Sequence, residues 1–391
     1  MKKKTCTEIN MKDNYQNINW QQEFRKNIRT IADLKKHIHL SNEEEKKIQK
    51  VIRYQALNIP VYYLNLINWD NENDQIKKIV WPSINELQQS NDIKETIDPY
   101  GDDKHYKGNG IIHKYQYSVL ILATEQCFSH CRYCFRKTLV GNPNNKKIVK
   151  SFEKVAEYIS DHKEINNVII SGGDPGTLAT TILKRIFEIL IKIENIDFIR
   201  FGTKSLVNFP VRYLDSNLIE LFKKINKRKP LYIPTHFNNY REITSLSNEA
   251  IQRVRKAGVI VNNQSVLLKG VNDSAAELIT LMNGLVKIGV NPYYLYQCMP
   301  VTKVSKYFQV PLIKGIDIVS EAKKSLNGYA KRFKFIMAHD SGKIEICGKF
   351  EDNIIMSQLH SRLDNPNDAS KIIVRKLTKN VGWYDDLFEK L

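Results

Sequence analysis

One pattern repeats along this chain that few folds can satisfy: short β-branched runs separated by amphipathic segments at nearly constant spacing. The runs are SVLILAT (118–124), NNVIISG (166–172), FIRFGTK (198–204), PLYIPTHF (230–237), VIVNNQSVLL (259–268) and NPYYLYQC (291–298). After a first gap of 48 residues, their starts lie 32, 32, 29 and 32 residues apart. That is the spacing of successive strand–helix units in a parallel sheet. Between the runs, residues 152–162, 182–193, 217–226, 246–257 and 275–288 place apolar side chains at i, i+3 and i+4, as helices covering a sheet do. Six such strands with outer helices predict an α/β fold, a partial (β/α)6 barrel short of the eight strands of a full one.

The first ~115 residues do not share this period. Residues 20–39 and 41–57 read as helices, the second opening with the capping-box pair Ser41 and Glu44. An Asn-, Asp- and Gly-rich stretch follows. The expected organisation is an N-terminal helical extension over 1–115, the barrel over 116–300, and a C-terminal region over 301–391 that covers the barrel.

Composition narrows the class. A chain of 391 residues buries a self-supporting core and needs no disulfide scaffold. The opening residues, MKKKTCTEINMKDN, have no apolar stretch behind their lysines, so no signal peptide is read there. No run approaches the ~18–20 apolar residues of a membrane span. Cytoplasmic location and no membrane partner are the expectation. The net charge is +18, but the lysines are scattered. They read as a solvated surface, and nucleic acid is not the expected partner.

The cysteines are not scattered. Three of the six, Cys127, Cys131 and Cys134, fall within eight residues, in Cys127-Phe-Ser-His-Cys131-Arg-Tyr-Cys134. In a reducing compartment such a run signals metal or redox chemistry. Structural zinc would need a fourth ligand, which His130 or Cys298 could supply. A [4Fe–4S] cluster on three thiolates instead leaves one iron open to a substrate. Polar and glycine residues also collect at the carboxyl ends of the later strands: Ser171-Gly172-Gly173-Asp174, Gly202-Thr203-Lys204, Thr235-His236-Phe237-Asn238, Asn263-Gln264-Ser265 and Gln297-Cys298-Met299. Barrel enzymes build their sites there, and Gly172 and Gly173 would let backbone approach a ligand closely.

A CxxxCxxC loop after the first strand of a partial barrel is the mark of the radical S-adenosylmethionine (SAM) enzymes. Within them this sequence resembles the lysine 2,3-aminomutases from about residue 19 to residue 350. The blocks NWQQEFRKNIRTIADLKKHI, CFSHCRYCFRK, SGGDP, GTK, THFNNYREIT, NQSVLLKGVND and NPYYLYQC carry the resemblance. It implies that Cys127, Cys131 and Cys134 bind a [4Fe–4S] cluster. It implies that Tyr133, Gly172, Gly173, Asp174, His236, Asn238 and Gln264 shape the SAM pocket. Arg136 would grip the substrate carboxylate, a task suited to a planar guanidinium. A one-electron reductant such as flavodoxin or ferredoxin is implied as partner, with a homo-oligomer admitted.

The family's second cofactor is pyridoxal phosphate, and here the sequence departs from the pattern. The glycine-rich segment that carries the cofactor lysine is replaced by RFKFIMAHDSGKIEICGKF, where Lys343 is the one substitute. The two positions of the phosphate-binding arginines are Lys114 and Ser118, and the Asp that pairs with a substrate ammonium is Met299. A buried ammonium facing Met299 would be unpaired and costly, so lysine is not the expected substrate. The leading expectation is a radical SAM enzyme that abstracts hydrogen from an amino-acid-like carboxylate without pyridoxal phosphate. Two alternatives stand beside it: a pyridoxal-dependent 2,3-aminomutase acting on another amino acid through Lys343, and a non-catalytic binding homologue.

Overall fold

The computed structural model describes residues 19–88, 95–378 and 381–388. Among them, eleven strands form a single sheet in sequence order. They begin with β1 (Ile111–Tyr115), β2 (Ser118–Thr124), β3 (Asn167–Gly172), β4 (Phe198–Phe201), β5 (Leu231–Thr235) and β6 (Ile260–Leu267). The rest are β7 (Asn291–Gln297), β8 (Lys334–His339), β9 (Gly342–Phe350), β10 (Asn353–Ser361) and β11 (Ile372–Lys376). Strands β2 to β8 run parallel, each paired with the next. Strand β1 is antiparallel to β2, and β9, β10 and β11 extend the other side antiparallel.

The sheet is curled. After β10 the chain returns to β1, where the Leu363 amide donates to the Lys114 carbonyl at 2.8 Å. The Tyr115 and His360 rings lie 5.7 Å apart across the same gap. Strand alternation then sorts the side chains. Val168 and Ile170 on β3, Ile199 and Phe201 on β4, and Ile233 on β5 are wholly buried under the outer helices. Burying a side chain of that size stabilises by roughly 1.5–3 kcal/mol. Their neighbours Ser171, Arg200 and Tyr232 face the lumen and remain partly accessible.

The covering helices form where the apolar period placed them. Phe152–Asp161 starts because the Ser151 side chain accepts from the Lys154 amide, and it buries Val155 and Ile159. Ala275–Lys287 starts in the same way, with Ser274 capping Glu277. Among the described residues no helix is long and apolar enough to cross a membrane.

All six expected strands are present, and β8 adds a seventh parallel one beyond residue 300. The C-terminal chain therefore continues the sheet as well as following it. The expected 20–39 helix is two helices, Trp20–Arg25 and Ile31–His37. Thr30 and Asp33 form a capping box that restarts the helix, and Ile28 between them makes a two-way backbone bridge to Ile59.

Candidate active site

Beyond the end of β2 the chain enters an irregular loop that holds Cys127, Cys131 and Cys134. With little secondary structure of its own, this loop must find backbone partners elsewhere, and the N-terminal region supplies them. The Gln55 amide donates to the Cys131 carbonyl and the Asn58 amide to the Cys127 carbonyl, both at 2.8 Å. Asn27 donates to the Phe128 carbonyl at 2.7 Å. The Arg132 guanidinium, 1% exposed, is clamped on the buried Glu86 carboxylate at 2.8–3.1 Å. Phe128 stacks on Phe209 at 4.2 Å. Sequence reasoning missed all five anchors because their signal is a contact across 46–101 residues of chain.

The donor set fits a three-thiolate cluster. All three cysteines are free and partly buried, and burial pushes each thiol up, Cys134 to about 11. Ligation by a cation removes such protons. His130 turns its Nδ1 to the Ala56 carbonyl at 2.9 Å, which leaves Nε2 as the nitrogen a metal would use. Cys298 is buried with its thiol toward the Met299 carbonyl, and burial alone lifts it to about 12.

The residues expected on the SAM side stand on the neighbouring strand ends. Gly172 has φ 114°, and a Cβ there would lie 2.3 Å from the Thr124 carbonyl oxygen; at Gly173 it would lie 2.2 Å from that of Gln126. These glycines let β3 close against the start of the cysteine loop. Both Asp174 oxygens are already engaged: Oδ1 accepts from the Gly176 amide (2.9 Å), Oδ2 from the Lys204 amide (3.0 Å), and the Thr203 hydroxyl lies within reach of both. Asp174 thus ties the ends of β3 and β4 together.

Tyr133, inside the cysteine loop, shares its hydroxyl with the Asn238 amide and with the Lys204 ammonium at 3.3 Å. Lys204 also reaches the His236 carbonyl and the Glu242 carboxylate, each at 3.0 Å. Glu242 is wholly buried. It receives the Tyr63 hydroxyl and the Asn238 and Asn239 amides, so it shapes the turn that presents His236 and Asn238. Burial, with Lys204 nearby, lowers His236 to about 4, and its ring meets the Gln264 backbone. It is a neutral imidazole. Lys204 and Glu242 were not singled out from the sequence, although Lys204 lies in the GTK block.

Arg136 projects from the same loop over the Phe135 ring at 4.7 Å. Its Nε donates to Asp102 Oδ2 at 2.7 Å, while Asp102 Oδ1 is buried without a partner. Deeper in the lumen lies a chamber of cations and phenols. The Lys343 ammonium sits over the Tyr294 and Tyr115 rings at 4.8 and 5.8 Å. The Tyr115 and Tyr100 hydroxyls are 2.9 Å apart, and Lys114 lies over Tyr100 with a bond to the His339 carbonyl at 2.7 Å. Burial, then Arg200 and Lys114, hold Lys343 down to about 7. Lys114 falls to the same value, chiefly through burial.

Arg200 reaches across from β4 to hydrogen-bond the Ser118 hydroxyl, and its Nε is buried without a partner. A guanidinium therefore stands beside position 118 after all, delivered from another strand. The chamber fits a phosphate-bearing carbonyl compound: an amine held to about 7, and so partly neutral at pH 7, beside the Arg200 guanidinium and a second lowered amine, Lys114. That fit weakens the sequence-based case against pyridoxal phosphate.

A cysteine-rich loop of this spacing at the strand carboxyl ends of a partial barrel defines a radical SAM enzyme, and the Radical SAM superfamily model matches residues 121–282. An Aquifex aeolicus protein named "Putative L-lysine 2,3-aminomutase" is 38% identical over 93% of this chain and 96% of its own. The L-lysine 2,3-aminomutase of Clostridium subterminale is 33% identical over 88% and 80% of the two chains. The glutamate 2,3-aminomutase of Clostridioides difficile is 30% identical over 94% and 86%. The chain belongs to the lysine 2,3-aminomutase family of radical SAM enzymes, whose shared cofactors are a [4Fe–4S] cluster and SAM.

Proposed function

We propose that this enzyme is an aminomutase-type isomerase of a small α-amino acid without a cationic side chain, and that it holds pyridoxal phosphate in addition to the cluster and SAM. The observation that carries the reading is Lys343, an amine over the Tyr294 and Tyr115 rings and held to about 7 by burial, Arg200 and Lys114. When bound, the cluster and SAM supply a hydrogen-abstracting radical, and pyridoxal phosphate supplies the conjugated carbonyl that carries a migrating nitrogen.

The chain's own residues do the rest. Cys127, Cys131 and Cys134 hold the cluster. Tyr133, Gly172, Gly173, Asp174, His236, Asn238 and Gln264 surround SAM, with Lys204 and Glu242 keeping Tyr133 and Asn238 in place. Arg136 takes the substrate carboxylate in the orientation Asp102 gives it. Lys343 offers its amine to the cofactor carbonyl, and Arg200 and Lys114 face its phosphate. Relatives named for lysine and for glutamate show that the family spans substrates of opposite side-chain charge. Met299 offers no counter-charge to an ammonium, which favours a neutral or acidic side chain.

The test is anaerobic reconstitution with iron, sulfide and pyridoxal phosphate, followed by borohydride trapping and a panel of α-amino acids. A pyridoxyl adduct on Lys343 and a β-amino acid product support the proposal. About four irons per chain and 5′-deoxyadenosine, but no adduct, would favour hydrogen abstraction without pyridoxal phosphate.

A further inference from the structure

The cysteine loop is held on one side by the N-terminal region. Gln55, whose amide holds the Cys131 carbonyl at 2.8 Å, lines a surface cleft of about 180 Å³. Tyr54 and Ile97 stand at this cleft 61% and 66% exposed, and Lys137 and Lys303 line it. The Lys303 ammonium lies 3.0 Å from the centre of the Tyr54 ring. Its backbone adopts φ 62°, held by a bond from its amide to Glu95 at 2.9 Å. Lys137 approaches from the cysteine loop and bonds the Thr302 carbonyl. Arg53, beside Tyr54, is exposed.

Among the described residues, Glu86 is paired with the buried Arg132, and Glu95 keeps its charge while accepting from the Lys303 amide and the Ser305 hydroxyl, so Lys137, Lys303 and Arg53 outnumber it. An exposed tyrosine and isoleucine ringed by cations has the make-up of a recognition surface, with an aromatic anchor and a charged rim. The sign of the rim selects an acidic partner and speeds its approach. A second copy of a chain carrying +18 would be repelled here.

We propose that this cleft is the docking face for an acidic one-electron carrier protein, whose electron enters the cysteine loop on the Gln55–Cys131 side. The carrier is oxidised by one electron and the centre on Cys127, Cys131 and Cys134 is reduced by one; no bond is made or broken at the surface. The inference rests on those cysteines holding the cluster, and the test keeps the two apart.

The reconstituted enzyme is compared with Lys303→Glu and Arg53→Glu, alone and together, using a reduced flavodoxin as protein donor and dithionite as small-molecule donor. Flavodoxin binding to the wild type should weaken steadily as salt is added. The double variant should bind flavodoxin at least tenfold more weakly, and flavodoxin-driven formation of 5′-deoxyadenosine should slow to match. The dithionite-driven rate should not change. Wild-type flavodoxin affinity in the double variant would overturn the proposal, as would equal losses with both donors. Self-association of the wild type that the double variant loses would overturn it in favour of a second copy. If dithionite yields no 5′-deoxyadenosine with the wild type, the cluster assignment itself has failed.

Discussion

Replacing Lys343 by Met should stabilise the protein freed of pyridoxal phosphate, and the gain should depend on pH in a defined direction. Burial, then Arg200 and Lys114, bring the Lys343 ammonium from 10.5 to about 7. A drop of about 3.5 units at 1.36 kcal/mol each sets a ceiling of about 5 kcal/mol. Lys114 is lowered to about 7 as well, so the chamber's cost is shared, and one replacement should recover on the order of 2 kcal/mol. The unfolded chain keeps this proton up to 10.5 while the folded chain releases it near 7. Within that window the unfolded state holds more protons, so wild-type stability climbs as pH rises. Below about 7 both states are protonated and the full cost is in place. The Met variant should therefore gain most near pH 6 and progressively less toward pH ~9. Urea unfolding of both proteins across that range measures it. A variant that is less stable at every pH, or a gain that ignores pH, would refute the idea of an enclosed, cation-crowded amine.

Other substitutions read other parts of the site. Arg200→Met should weaken pyridoxal phosphate binding about tenfold, the loss of one charge-assisted contact; fluorescence titration gives the affinity, and an unchanged value would remove Arg200 from the phosphate. Asp102→Asn should raise the substrate KM about tenfold for the same reason, while SAM affinity stays level. Glu242→Ala leaves the Lys204 ammonium buried and unpaired, which costs about 3–5 kcal/mol. It should also weaken SAM binding by releasing Asn238, whereas Glu242→Gln should recover part of both in denaturation and SAM titration.

The barrel was legible because its signals are local and periodic. The run 118–124 coincides with β2, and the apolar spacing of 152–162 marks a helix that ends one residue earlier. The cysteine triplet and the strand-end blocks were visible for the same reason. Strand β8 was missed because the 43 residues between the starts of β7 and β8 break the regular period, and its KFIMAH alternation is short. The split of the first helix did have a signal, the Thr30–Asp33 cap, hidden inside an apolar pattern.

The site's supports were harder to see. Nothing in the neighbourhood of Asn27, Gln55 or Asn58 says that each will hold a carbonyl of the cysteine loop. Ser118 argued against a phosphate site when read along the chain, because only the register of β2, β3 and β4 brings Arg200 beside it. An arginine in mid-strand between two apolar residues was the available clue.

The central claim is that Cys127, Cys131 and Cys134 form a centre that cleaves SAM reductively. It is tested most directly by measuring 5′-deoxyadenosine from anaerobically reconstituted enzyme given SAM and dithionite, beside Cys131→Ala treated identically. The account predicts 5′-deoxyadenosine from the wild type and none from the variant, whose cluster absorbance should be lost as well. No 5′-deoxyadenosine from a fully iron-loaded wild type, or an equal yield from Cys131→Ala, would contradict it.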